Sequence, residues 1–218
     1  MTKSQVIERL AHERLVPVIR ADSPASALRM VEALLAGGIS VFEITMTVPN
    51  AVEVIAEVAQ EFGERVLLGA GTVLDAHTAR ACIDAGAQFV VSPGFDGGTV
   101  TLCNGLGVCV APGALTPTEI LAAWRHGADI VKVFPCDAVG GPSYIKSIKA
   151  PLPQIPLMPT GGVTLENWTQ FLAAGAIAVG VGSNLVDPKL TGAQLAERAR
   201  AFVEKAKAES EPPRPSAN

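Results

Sequence analysis

The sequence predicts an α/β fold of the closed (β/α)8 (TIM) barrel type, preceded by one extra helix. Three observations carry this: eight short β-branched runs, a longer stretch of helical period after each, and a glycine that recurs where alternate helices end. Such alternation is the signature of βα units around a parallel sheet. A doubly wound open sheet could hold the same elements, but PVIRADS follows the first run where that fold would place a G-x-G-x-x-G turn.

Taken in order, 4–14 is amphipathic and gives the extra helix. Strands are expected at 16–20 (VPVIR), 40–45 (SVFEIT), 66–70 (VLLGA), 88–92 (QFVVS), 107–111 (GVCVA), 129–134 (DIVKVF), 156–160 (PLMPT) and 178–182 (AVGVG). Helices are expected at 24–35, 51–62, 75–84, 99–105, 117–124, a short one from Gly141, 165–172 and 193–206. Asp75, and Thr164 with Glu166 close behind, are start signals, because a side-chain oxygen there satisfies free N–H groups. A weak repeat, LLAGGISVFEI, CIDAGAQFVVS, AWRHGADIVKV and FLAAGAIAVGV, sets Gly37, Gly86, Gly127 and Gly175 at helix ends. Each is expected in the left-handed position that turns the chain into the next strand. Residues 1–208 read as one domain, and 209–218, rich in Pro and Ser without periodicity, as a disordered tail.

The chain of 218 residues has 49% hydrophobic residues and 21 glycines. The two classes together exceed the roughly 45–50% of ordinary domains, which points to apolar surface shared with copies of itself. A net charge of −4, with no basic run, argues against nucleic-acid or anionic-membrane partners, so an anionic small substrate must be held locally. Cys82, Cys103, Cys109 and Cys136 form no CxxC pair, and the N-terminus lacks a secretory apolar stretch. Both features suit reduced thiols in the cytoplasm. His12, His77 and His126 have no ligand spacing, so no metal site is expected.

Lys132 stands in IVKVF, where strand alternation puts Ile130, Lys132 and Phe134 on one face. If that face points inward, desolvation disfavours the ammonium, as an amine that attacks a carbonyl requires. The alternative is a lysine whose head reaches the strand end and meets a carboxylate or a phosphate. Glu43 has the same setting in VFEIT; with Lys132 it is either a proton-transfer pair or a structural ion pair. Thr160, Gly161 and Gly162 follow the seventh strand; Gly182 and Ser183 follow the eighth. Phosphate cups of barrels form there, because glycines let backbone N–H groups approach an anion. Thr72 after the third strand and Pro93 after the fourth could be loop chemistry, or in the case of Thr72 a hydroxyl aimed at a carboxylate.

The stretches VPVIRADS, GGISVFEIT, LLGAGTV, FVVSPGFD, APGALTPTE, IVKVFP, MPTGGV and AVGVGS together resemble the 2-keto-3-deoxy-6-phosphogluconate aldolase family, which includes 4-hydroxy-2-oxoglutarate aldolases. The resemblance implies Lys132 as Schiff-base nucleophile and Glu43 as general acid/base. It implies Thr72 and Pro93 at the pyruvate end, Phe134 beside the imine, and Gly161, Gly162, Gly182 and Ser183 at the phosphate. Arg20 in PVIR is a further position near the anionic substrate. One departure is Thr47, where many family members carry an arginine that binds the pyruvate carboxylate; a threonine offers a hydroxyl and no charge. Carboxylate binding is then expected to rest on Thr72, Thr47, backbone groups or Arg20.

The resemblance further implies cleavage of the phosphorylated keto acid to pyruvate and glyceraldehyde 3-phosphate, or of 4-hydroxy-2-oxoglutarate to pyruvate and glyoxylate. It implies no external cofactor and an assembly as a homotrimer. Thr160 before the double glycine suits the gluconate epimer, with the galactonate epimer as nearest alternative. Two rivals stand beside this reading: another phosphate-binding barrel enzyme, and a non-catalytic assembly subunit.

Overall fold

The computed structural model describes residues 1–210. Helix α1 (Lys3–Glu13) leads into β1 (Leu15–Ile19), α2 (Pro24–Ala36), β2 (Val41–Thr45), α3 (Ala51–Phe62), β3 (Leu67–Gly71), α4 (Ala76–Asp84), β4 (Phe89–Val91) and α5 (Gly97–Gly105). Then come β5 (Cys109–Ala111), β6 (Gly113–Ala114), α6 (Pro117–Arg125), β7 (Val131–Val133), α7 (Pro142–Lys149), β8 (Leu157–Pro159), α8 (Trp168–Ala173), β9 (Val179–Val181) and α9 (Gly192–Ser210). Six strands run in the order β5-β4-β3-β2-β1-β9 and three in the order β6-β7-β8. Every pairing is parallel.

Pro112 separates β5 from β6. Having no N–H to donate, it interrupts the ladder, so β5 pairs with β4 and β6 with β7. The two sheets meet at both ends. Ile130 N–H donates to Val110 O at 3.4 Å and Lys132 N–H to Pro112 O at 2.9 Å, while Thr160 and Gly180 form a parallel bridge.

Alternation divides the strand residues between two apolar layers. Ile19, Phe42, Ile44, Val131, Val133 and Val179 pack outward against the helices. Val16, Val41, Leu67, Phe89, Ile130 and Met158 gather on the other face, joined there by Val6 and Leu10 of α1. These two helix residues lie four apart, hence on one side of α1, which begins with a capping box between Thr2 and Gln5. The Lys3–Asp129 ion pair, 2.9 Å, ties the helix start to the segment before β7.

Three expectations change. Gly37 is not left-handed: its φ is −84°, and Gly38 makes the turn at +89°. Gly37 is needed for another reason, because a Cβ there would lie 2.3 Å from Ala199 Cβ and 2.8 Å from Ala196 O of α9. Thr164 does not start α8. Its hydroxyl accepts from Glu166 N–H at 3.2 Å within a turn, and the helix begins at Trp168. Helix α9 runs to Ser210, and the rest of the expected tail lies outside the described residues. No helix among the described residues is long and apolar enough to cross a membrane.

Gly37→Ala is expected to lower stability in urea unfolding by about 1–3 kcal/mol, because its methyl has no space between α2 and α9. Gly105→Ala, at the last residue of α5 with open space around it, should be neutral or stabilising by about 0.5–1 kcal/mol.

Candidate active site

With Phe42 and Ile44 packed outward, strand alternation turns Glu43 inward. Val131 and Val133 do the same for Lys132. The two side chains, 1% and 4% exposed, meet with Lys132 Nζ 3.8 Å from Glu43 Oε1. That distance is an ion pair but too long for a hydrogen bond. Glu43 Oε1 is buried without a hydrogen-bond partner among the described residues. The pair is therefore electrostatically coupled yet retains unused hydrogen-bonding capacity. Lys132 Nζ also stands over the Phe134 ring, 5.4 Å from its centroid, within reach of cation–π attraction.

Space for the carboxylate comes from β3. A Cβ at Gly71 would lie 2.5 Å from Glu43 Oε1, so only glycine fits beside it. Gly180 performs the same service for Thr160, whose Oγ1 would be 2.2 Å from an added Cβ. The Thr160 hydroxyl is buried and has no hydrogen-bond partner among the described residues.

The remaining predicted residues occupy the same rim, at the C-terminal ends of parallel strands. Thr72 follows β3 with φ +59°, a left-handed conformation that is costly for a β-branched residue and typical of functional sites. Half-buried Pro93 follows β4, its carbonyl packed against Gly113. Gly161 and Gly162 turn with φ +98° and +68°. Their loop is tied to the one holding Gly182 and Ser183 by Asn184 Nδ2, which donates to Val163 O at 2.9 Å. Arg20 is exposed, with Nη1 3.3 Å from where a Cβ on Gly182 would be. It thus leans toward the loop that follows β9.

Thr47 is exposed, and its hydroxyl is 2.7 Å from that of Thr45. Thr45 gives its single hydroxyl proton to Ile19 O at 2.9 Å, so Thr47 is the donor in the Thr45–Thr47 bond. Its proton is already engaged, and a carboxylate would have to compete for it. Among the described residues, no hydrogen bond joins Thr72 or Pro93 to Lys132 or Glu43.

Sequence reasoning passed over Thr45, Asn184 and Asp137. Asp137 packs on both glycines of the Gly161–Gly162 turn; its closeness in sequence to Lys132 was the only available signal. A hollow of about 1060 Å³ opens at the opposite strand ends between α1, α8 and α9 and includes none of the residues named for the site. Buried polar chemistry locates the site better than size does.

Against this geometry, the sequence model described as KDPG and KHG aldolase matches residues 6–200. The chain belongs to the KDPG and KHG aldolase family. It is 38% identical over 181 residues to the 2-dehydro-3-deoxy-phosphogluconate aldolase of Treponema pallidum (strain Nichols), covering 83% of this chain and 86% of that one. It is 36% identical over 190 residues to the 2-dehydro-3-deoxy-6-phosphogalactonate aldolase of Escherichia coli (strain K12), covering 87% and 92%. Among solved structures, KDPG aldolase from Legionella pneumophila, with pyruvate captured at low pH as a covalent carbinolamine intermediate, superposes with a TM-score of 0.84. The identity is 29%, and 93% of this chain and 98% of that one are covered.

Removing one member of a buried ion pair leaves the other charge without compensation, at a cost of about 3–5 kcal/mol. Glu43→Gln and Lys132→Met should each lower urea stability in that direction, and the double variant should be more stable than Glu43→Gln alone.

Proposed function

We propose that this chain is a class I aldolase, a lyase that cleaves 2-keto-3-deoxy-6-phosphogluconate to pyruvate and glyceraldehyde 3-phosphate. The single observation that carries the reading is the buried Lys132–Glu43 pair, 3.8 Å apart, with a carboxylate oxygen still lacking a partner. Catalysis needs an amine and a proton carrier in one water-poor place.

In this reading the neutral Lys132 amine attacks the C2 ketone. Glu43 moves a proton to the carbinolamine hydroxyl, water leaves, and a protonated imine remains. Glu43 then takes the C4 hydroxyl proton, the C3–C4 bond breaks, and its electron pair moves into the imine to give the enamine. Glyceraldehyde 3-phosphate departs. Protonation at C3 and addition of water release pyruvate and restore the amine. The iminium is the electron sink, so the reaction needs no external cofactor.

Phe134 packs beside the imine, and Thr72 and Pro93 line the pyruvate end. Backbone N–H groups at Gly161, Gly162, Gly182 and Ser183 hold the phosphate, with Arg20 next to them. The partnerless Thr160 hydroxyl supports a hydroxyl-bearing sugar acid as substrate. The galactonate epimer is the second reading, supported by the Escherichia coli relative.

The same reading takes residues 1–208 as one closed (β/α)8 barrel, supported by the Lys132–Pro112 and Thr160–Gly180 contacts that join the two sheets. It also takes the chain as the homotrimer that the family resemblance implies, with the apolar Leu74 and Phe95, 65% and 40% exposed, free to meet another copy. A cytoplasmic setting is supported by four free, buried cysteines.

Turnover of 2-keto-3-deoxy-6-phosphogluconate, followed by coupled detection of pyruvate, tests the reading. Lys132→Ala should fall to background with its fold retained, and Glu43→Gln should lose about 10²–10⁴-fold in kcat. Gly71→Ala, which displaces the Glu43 carboxylate, should lose about 10²-fold. Wild-type protein that releases no pyruvate would favour another phosphate-binding barrel enzyme.

A further inference from the structure

The end of the site away from Lys132 sets one exposed basic and one exposed acidic side chain against the same pair of glycine turns, while half-buried Arg198 is engaged behind them, its Nη1 donating to Ser183 O at 3.5 Å and Asn184 O at 3.4 Å. Arg20 reaches Gly182, its Nη1 3.3 Å from an added Cβ there. Asp137 lies on the other turn: its Oδ1 is 2.8 Å from the Cβ position of Gly161, and its own Cβ is 2.4 Å from that of Gly162. Both side chains are exposed. Neither makes an ion pair or a side-chain hydrogen bond with another described residue. Asn184 and the Thr160–Gly180 bridge hold the two turns together, so both charges act on one small region.

A site shaped only to hold a phosphate gains nothing from a carboxylate there, because like charges repel. Packing on the glycine turn does not require the charge either, since asparagine has the same shape. We propose that Asp137 is a specificity-determining residue. It offsets Arg20 and thereby lowers the preference for a phosphorylated over an uncharged distal end, so that the chain also turns over the unphosphorylated sugar acid. This rests on the aldolase reading above. Discrimination is a difference of two affinities, and a repulsive group changes it as effectively as an attractive one. A distal hydroxyl donates to the Asp137 carboxylate, whereas a fully ionised phosphate has no proton to give.

The test is steady-state kinetics of the full chain on 2-keto-3-deoxy-6-phosphogluconate and on 2-keto-3-deoxygluconate. Asp137→Asn should raise the ratio of kcat/KM for phosphorylated over unphosphorylated substrate about fivefold, mainly through a lower KM for the phosphorylated one. Arg20→Gln should lower the ratio by about the same factor. A purely structural role moves both substrates together, so a ratio within about twofold of wild type, or a lower one, in Asp137→Asn overturns the proposal.

Borohydride trapping of pyruvate reads the other end of the site and should be unchanged in Asp137→Asn. Loss of that adduct in the variant alone would assign Asp137 to the pyruvate end and overturn the proposal. Absence of the adduct in wild type would overturn the aldolase reading and this inference with it, whereas an adduct with an unchanged ratio overturns this inference alone.

Discussion

An ammonium and a carboxylate taken out of water lose several kcal/mol of hydration each, and their mutual attraction restores that only when geometry and hydrogen bonding are good. Lys132 and Glu43 are buried at 3.8 Å with a carboxylate oxygen left over, so the pair is poorly satisfied as a structural device. Apolar residues of similar volume would serve stability as well or better. Everything around the pair holds it nonetheless. Outward-facing Phe42, Ile44, Val131 and Val133 anchor β2 and β7 against the helices, and that packing forces the intervening residue of each strand inward. A stability cost imposed by the core at a strand end is the mark of a site kept for its chemistry.

The rest of the interior is arranged to confine this polarity to one end. Val16, Val41, Leu67, Phe89 and Ile130 form an apolar floor, sealed by Val6 and Leu10 of α1. Above it, glycines stand where neighbours need room: Gly69 under the Phe89 ring, Gly71 beside Glu43 and Gly180 beside Thr160. Substituting any of them would move a ring, a carboxylate or a hydroxyl rather than a loop. The strained Thr72 and the paired glycine turns follow the C-terminal ends of β3, β8 and β9.

Much of this was legible in the sequence. Strands β1, β2, β4, β7 and β9 are short runs rich in β-branched residues, and such runs are local signals. Lys132 and Glu43 were conspicuous because a charge between apolar neighbours breaks the pattern. What could not be read was contact between distant elements. Gly37 is required by Ala199 of α9, and no local rule reports that, so its role was mistaken for turn chemistry. The start of α8 was misplaced because Thr164 closes a turn with the same hydrogen bond that opens a helix. Thr47 could be recognised as an uncharged substitute, but the direction of its hydroxyl follows only from the Thr45–Ile19 bond. Asp137 was passed over because its carboxylate matters through the fold that lays it on Gly161 and Gly162.

The central claim is that the buried amine of Lys132, and no other, forms a covalent bond to a keto acid. Peptide mapping by mass spectrometry, after incubation with pyruvate and borohydride, addresses it directly. The account predicts one reduced pyruvate adduct per chain, on the peptide that contains Lys132. Modification of a surface lysine such as Lys146 instead, or no adduct at saturating pyruvate, would contradict it.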